Sequence, residues 1–541
     1  MLTIDRRSLL VTGTLGVAAL AVPGFAQGSA LLAARGFTHA VASGEPGADT
    51  MLFWTRYVPA DGGAAELAVE VSERTDFARL AGGGRIVTGP WRDHTAKVTV
   101  DGLKPGTTYF YRFAAADGTR SAVGRTRTLP DGGARSFRAA IFSCSNMGYG
   151  YFNAYAHAAA RDDLDLAIHL GDYFYEYAPD NYPPAKDAVA GRVPQPLKEL
   201  IALADYRLRY ASYRADPDLA ALHLRLPMVV QQDDHETAND DWEGGAENHQ
   251  PADGDWSTRK QAAMQAWREW MPVSDEPWRA YDIGGLATLY RTDSRQLARS
   301  EQPDLAPYFK AADPDAALIA FRNGKWGDAA QTMLGSQQES WLAHQLAASV
   351  KRGQKWQVVG FGTIMGNTST PADAANWLAP DATARSKAYV QRGLAAAKAG
   401  LPNNFDSWGG YPAARARFLK SAQAANANVV VISGDSHNAW AYDLAQDGRA
   451  AGVEFAGQAV SSPGYENALA ADPRRVAAAL VAANPELKWC DTSRRGYMAL
   501  TITSDRVSND WLFVDTVKTR TPRATVGHTA TVRRGARTMA A

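Results

Sequence analysis

Residues Asp165–Tyr177 read DLAIHLGDYFYEY: a short apolar run, a Gly-Asp pair, then aromatic rings around Glu176. The run has the length of a buried strand. Gly171 permits a sharp turn at its end, leaving the Asp172 carboxylate to face whatever lies beyond. The same arrangement recurs in AAIFSCSN (Ala139–Asn146), MVVQQDDHETAND (Met228–Asp240) and VVVISGDSHNAW (Val429–Trp440). Each is an apolar run that ends in a polar cluster, and strand tips are where layered α/β architectures assemble their sites.

Around these runs, further β-like segments such as WQVVGFG alternate with helical stretches, among them WSTRKQAAMQAWREWM and QQESWLAHQLAASVKR. The alternation predicts a layered α/β domain over residues 135–520. Upstream, TMLFWTRY, AELAVEVS, KVTVDGL, TYFYRFAA and SAVGRTRT are short β-like segments separated by Gly, Pro and Asp turns. They predict a small all-β sandwich of the fibronectin-III or immunoglobulin type over residues 37–134. Within it, Leu103, Pro105 and Tyr109 have the spacing of a tyrosine corner. The turn-rich LPDGGARS, Leu129–Ser136, marks the boundary. Ala178–Pro196 reads as a long loop, and the basic end, 521–541, as a solvated tail.

The chain has 541 residues, enough for a large core, and 57 basic against 57 acidic side chains. A balance of zero gives no net field for polyanions, so no nucleic-acid module is expected. Two distant cysteines, Cys144 and Cys490, are too few for a disulfide scaffold. The N-terminus carries Arg6 and Arg7, an apolar run from Leu9 to Val22, and small residues at Gly24 and Ala26. This is a signal-peptide pattern over residues 1–26, similar to a twin-arginine export signal. It predicts cleavage after Ala26 and a periplasmic or secreted protein; the alternative is an uncleaved anchor.

Taken singly, the residues at the tips have ordinary explanations. Asp after a strand is commonly a turn former or N-cap. Cys144 alone is a small buried residue or a nucleophile, and Tyr175 alone is better explained by ring packing. Together, thiolate, phenol, carboxylates and imidazole make a metal site plausible. Asp172 suits a bridging position because its two oxygens can each hold a cation.

Four segments in this order after a small β domain resemble PhoD-type alkaline phosphatases of the metallophosphoesterase superfamily: FSCSNMGYGYFNAYAHAA, DLDLAIHLGDYFYEY, QQDDHETANDDW and ISGDSHNAW. The family is similar to purple acid phosphatases. The resemblance implies a four-layer αββα core with Fe3+ and Ca2+ at the strand ends. By motif, Cys144, Asp172, Tyr175 and His437 match the ligands of the ferric ion, which reverses the preference for a packed Tyr175. Asp172, Asp234 and Asp435 match the calcium side, with Asp406 in NNFDSWGGYPAARARFL as a further oxygen donor. Asp234 stands where the wider superfamily has asparagine, and Asp435 where it has histidine. His235 matches a residue that assists at the phosphoryl group.

The implied activity is an exported metal-dependent phosphoesterase. Two cations would neutralise phosphate oxygens, and hydroxide formed from metal-bound water would attack phosphorus. Its substrates would be small phosphate esters or phospholipid and polymer diesters, its export partner the twin-arginine machinery, and its state a monomer. A phospholipase-D-like activity on lipid headgroups is the close alternative, and a non-catalytic calcium-binding envelope protein the distant one. No G-x-S-x-G elbow supports a serine hydrolase. Arg295 reads either as a phosphate-binding fork or as a structural ion pair.

Overall fold

The computed structural model describes residues 24–540. Most of the expected export signal therefore lies outside the described residues. No helix among the described residues is long and apolar enough to cross a membrane.

Two large sheets face each other. At the centre of the first, Ser136–Phe142, Leu166–His169 and Met228–Val230 run parallel. At the centre of the second, Ala287–Arg291, Trp356–Phe361, Val429–Ser433 and Arg449–Ala456 do the same. Almost every residue of these strands is buried, as the continuous apolar runs require of parallel strands covered on both faces. Ile141, Ile168, Val229, Leu289, Val358, Val430 and Phe455 fill the space between the sheets. Helices cover the outer faces. Leu203–Arg214 and Trp256–Trp270 pack on the first sheet through Tyr206, Tyr210 and Trp267. Gly335–Lys351 and Pro412–Ala424 pack on the second through Leu342, Leu346 and Phe418. The result is the expected four-layer αββα core.

The N-terminal strands form a sandwich around Val41, Phe53, Val69 and Tyr111. Its outer sheet is Gly82–Thr88, Ala65–Ser72, Thr108–Ala115 and Gly124–Arg127. Tyr109 Oη accepts a hydrogen bond from the Lys104 backbone N–H at 2.8 Å, which makes the predicted tyrosine corner. Its inner sheet is less separate than the 37–134 boundary suggests. Gly36–Gly44, Met51–Val58 and Thr95–Val100 extend the first large sheet, with Gly44 paired in parallel to Met228. The pairing covers an edge strand that would otherwise expose its backbone groups.

The C-terminal segment corrects another expectation. Ala524–Arg533, within the 521–541 stretch expected to be a solvated tail, is an edge strand paired antiparallel to Arg506–Val514. Ala530 and Val532 turn inward while the intervening residues stay partly exposed, a period-two pattern easily lost among arginines.

Candidate metal centre

Because the central strands are parallel, their C-terminal ends emerge on one side. Cys144 follows Ser136–Phe142, Asp172 follows Leu166–His169, Asp233 and Asp234 follow Met228–Val230, and Asp435 and His437 follow Val429–Ser433. Four of these tip residues, Cys144, Asp172, Asp435 and His437, have left-handed backbone, with φ of 60°, 54°, 64° and 61°. Non-glycine residues seldom take this conformation, and a cluster of them marks a site held in place by its surroundings.

The side chains converge. Cys144, Asp172 and His437 bring donor atoms within 4.8 Å of one another, as do Asp172, Asp234 and His235, and again Asp233, Asp234 and Asp435. Asp172 belongs to the first two groups and Asp234 to the last two. Tyr175 Oη lies 3.2 Å from Asp172 Oδ2 and 3.0 Å from His437 Nε2, and it accepts from Ser462 Oγ at 2.6 Å. Tyr175, Asp172 and Cys144 are buried, whereas Asp435 and His437 are partly exposed, so the site opens on their side.

Asp406 is placed differently. Its Oδ1 accepts from both Arg295 Nη1 and Arg299 Nη2 at 2.6 Å, and Arg295 Nε donates to Asp233 Oδ1 at 2.7 Å. Arg295 is thus a buried ion-pair centre between Asp233 and Asp406, the second of the two readings its sequence allows, while its backbone N–H donates to Asp293 Oδ1 at 3.3 Å. His169 is fully buried, 2.8 Å from Tyr155 Oη, and accepts from the Gly171 N–H at 3.3 Å. Burial lowers its imidazole to about 3, in keeping with a neutral structural ring.

Electrostatics point to cations. Burial pushes the Asp172 carboxyl well above its usual range, and Asp233, Asp234 and Glu236 add to this while His235 opposes it. Burial and the Asp172 charge raise the Cys144 thiol and the Tyr175 phenol as well. His437 is lowered to about 3, first by burial and then by Arg495, which keeps the imidazole neutral. Burial also opposes ionisation of Asp234, but Arg295, His235 and the Asp240 backbone N–H outweigh it and hold its carboxyl low. Asp172 Oδ1 and Asp234 Oδ1 are buried with no hydrogen-bond partner. Arg295 Nη2 stands 3.7 Å from Asp234 Oδ1, whereas Asp172 Oδ1 is a buried carboxylate oxygen with no hydrogen-bond partner, which is costly and which a cation satisfies. The phenolate, thiolate, imidazole and carboxylate on one side fit a transition-metal cation, and the all-carboxylate side fits a hard, oxygen-seeking one.

Two glutamates escaped the reading of the sequence. The Glu236 carboxylate accepts from the backbone N–H groups of Asp172 at 3.2 Å, Tyr173 at 2.7 Å and Asp233 at 2.9 Å, tying two strand tips together. Glu176 Oε2 lies 2.6 Å from His235 Nδ1. Neither role has a local signal, because each depends on a partner brought up by the fold. Nearby, Arg209 donates to the carbonyls of Tyr175 and Tyr177 and fixes the aromatic segment from the helix behind it. A cavity of about 290 Å3 opens beside Tyr175, Tyr177 and Tyr182, with the 179–194 loop as its wall.

Comparison with known proteins agrees with this architecture. Residues 139–511 match the family model for PhoD-like phosphatase, and residues 24–130 that for the PhoD-like phosphatase N-terminal domain. Alkaline phosphatase D of Bacillus subtilis (strain 168) is 33% identical over 499 residues, which cover 88% of this chain and 77% of that protein. A solved structure of PhoD superposes with a TM-score of 0.76 at 28% identity, covering 94% of this chain and 92% of the other. Purple acid phosphatase PPD1 from yellow lupin (Lupinus luteus) seeds shares the fold, with a TM-score of 0.54 at 14% identity, covering 92% and 74% of the two chains. The chain therefore belongs to the PhoD-like phosphatase family and is a phosphoesterase hydrolase.

Proposed function

We propose that this phosphoesterase is an exported alkaline phosphatase that depends on bound metal and hydrolyses phosphate monoesters, diesters or both. The observation that carries this reading is the buried donor set around Asp172, whose Oδ1 has no hydrogen-bond partner. Cys144, Asp172, Tyr175 and His437 would hold Fe3+. Asp172, Asp234 and Asp435 would hold Ca2+, with Asp406 at the edge of that side. When bound, the cations supply charge for the phosphate oxygens and acidify a water molecule.

The chain's own groups do the rest. Asp172 would join the two halves of the site, since it belongs to two of the three donor groups, one with Cys144 and His437 and one with Asp234 and His235. Thr363 Oγ1 donates to Asp435 Oδ2 at 2.7 Å and orients that carboxylate. Pro463 carbonyl and His437 Nδ1 are 2.6 Å apart, which leaves Nε2 facing Tyr175. His235 stands among Asp172 and Asp234 and would assist at the phosphoryl oxygens or the leaving group, by charge or by proton donation. Burial disfavours a charge on its ring, but the surrounding carboxylates Asp234, Glu176 and Asp172 outweigh this and raise its pKa. The cavity beside Tyr175 has room for the second substituent of a diester. The Arg6–Arg7 signal pattern supports twin-arginine export to the periplasm or medium.

Elemental analysis of the full-length purified chain tests the reading, combined with hydrolysis of p-nitrophenyl phosphate and bis(p-nitrophenyl) phosphate before and after calcium chelation. Iron in the protein and loss of activity on chelation are expected. Absence of iron together with full activity after chelation sinks the assignment.

A further inference from the structure

Glu176 is fully buried in the middle of the Tyr175–Tyr177 segment, and nothing in the metal assignment gives it a task. Its carboxylate is fully engaged. Oε2 lies 2.6 Å from His235 Nδ1, while Oε1 accepts from the Asn239 backbone N–H at 2.8 Å and from Asn248 Nδ2 at 2.7 Å. An ionised carboxylate only accepts, so the His235 Nδ1–H is the donor and the orientation of the ring is set.

The flanking residues close two further sides of the same imidazole. The Tyr175 ring centroid is 4.2 Å from that of His235, and the Tyr177 centroid is 5.6 Å away. Three consecutive residues thus contact one imidazole, two through tyrosine rings and one through a hydrogen bond to a ring nitrogen. With Nδ1 occupied, Nε2 is the atom left for the pocket that His235 shares with Asp172 and Asp234. The support extends outward: the Asn248 carbonyl accepts from Arg259 Nη1 at 2.7 Å, and buried Arg259 also bonds Tyr206 Oη and Glu199.

From this geometry we infer that Glu176 is the positioning residue for His235, aiming Nε2 at the phosphoryl group, and that Asn248 in turn holds Glu176. The inference rests on the role of His235 proposed above. It gives the middle residue of the aromatic segment a function distinct from metal binding. It also links the 239–248 segment to the chemistry through a hydrogen-bonded path from Arg259 to Asn248, Glu176 and His235.

A double-mutant cycle on the metal-loaded full chain tests it, with kcat, KM and metal content measured on p-nitrophenyl phosphate. His235→Gln should lower kcat by about 100-fold or more, the usual worth of a positioned acid or base. Glu176→Gln should lower kcat by about 10- to 100-fold with iron and calcium content unchanged. The double variant should be no slower than His235→Gln alone. Losses that multiply in the double variant, or a wild-type rate in Glu176→Gln beside a slow His235→Gln, overturn the inference alone. A wild-type rate in His235→Gln overturns the role of His235 and the inference with it. If Glu176→Gln fails to fold, Asn248→Ala takes its place, because it leaves the carboxylate present. Its loss must likewise vanish on the His235→Gln background, and a multiplied loss overturns the inference.

Discussion

Gly171 is pressed against Asp233: a Cβ on Gly171 would stand 2.4 Å from the Asp233 backbone nitrogen. The contact sets how closely two strand tips approach, and Gly171 also has φ of +111°, which side chains avoid. Gly171→Ala should therefore destabilise the fold by about 2 kcal/mol or more and move Asp233 away from Asp234 and Asp435. Thermal denaturation and metal content check this. An alanine variant with normal stability and normal calcium content would show that the close approach is dispensable.

The Glu236 clamp makes a related prediction. One buried carboxylate serves the N–H groups of Asp172, Tyr173 and Asp233, so Glu236→Ala leaves three donors without a partner. At about 1–3 kcal/mol for an unsatisfied buried group, the loss should be large, and Glu236→Gln, which keeps one acceptor oxygen, should be milder. Urea denaturation of the two variants should rank them in that order. Equal stability in both would mean that the tips hold their shape without the clamp.

The legibility of the molecule follows from where each partner lies along the chain. Asp172 was readable because a Gly-Asp pair after an apolar run has local meaning. The parallel order of the tips followed from alternating runs and helices. The pairing of Arg295 with Asp406 joins residues 111 positions apart, and no pattern in either segment announces it. The continuity of Gly36–Gly44 with Met228–Val230 was hidden in the same way. The metal-ligand roles of Cys144 and Tyr175 came from resemblance, since a buried thiol and a buried ring pack without any metal.

Two neighbouring side chains on one strand and its tip should separate chemistry from support. Asp172 belongs to two donor groups and has one unpartnered oxygen, whereas His169 is a neutral buried ring bonded to Tyr155 and the Gly171 N–H. Asp172→Asn should abolish hydrolysis and metal retention while leaving the fold intact. His169→Gln should cost about 1–2 kcal/mol of stability and keep most of the activity. Steady-state kinetics with elemental analysis distinguish them. Complete loss of activity and metal in both variants would contradict the distinction.

Proton linkage supplies the remaining prediction. Burial, reinforced by Asp406, pushes the Asp435 carboxyl up to about 6. Burial pushes Asp233 up to about 7, against Arg295 and with Asp234. Both values exceed the unfolded value of about 3.9, so these two carboxyls bind more protons in the metal-free folded state than in the unfolded chain between about pH 4 and 7. Their contribution to stability should fall as pH rises through that window and level off above it, while the buried rings of His39, His169 and His223, whose pKa burial lowers, contribute in the opposite direction. A cation held by Asp435 must displace its proton, so calcium affinity should rise over the same range. Relative to an Asp435→Asn variant, the chelated protein should accordingly lose stability between mild acid and neutral pH, and added calcium should offset that loss. Calorimetry in buffers of different ionisation enthalpy should detect protons released on calcium binding in mild acid. Calcium binding that releases no protons and does not change with pH would show that these carboxylates are already ionised in the metal-free protein.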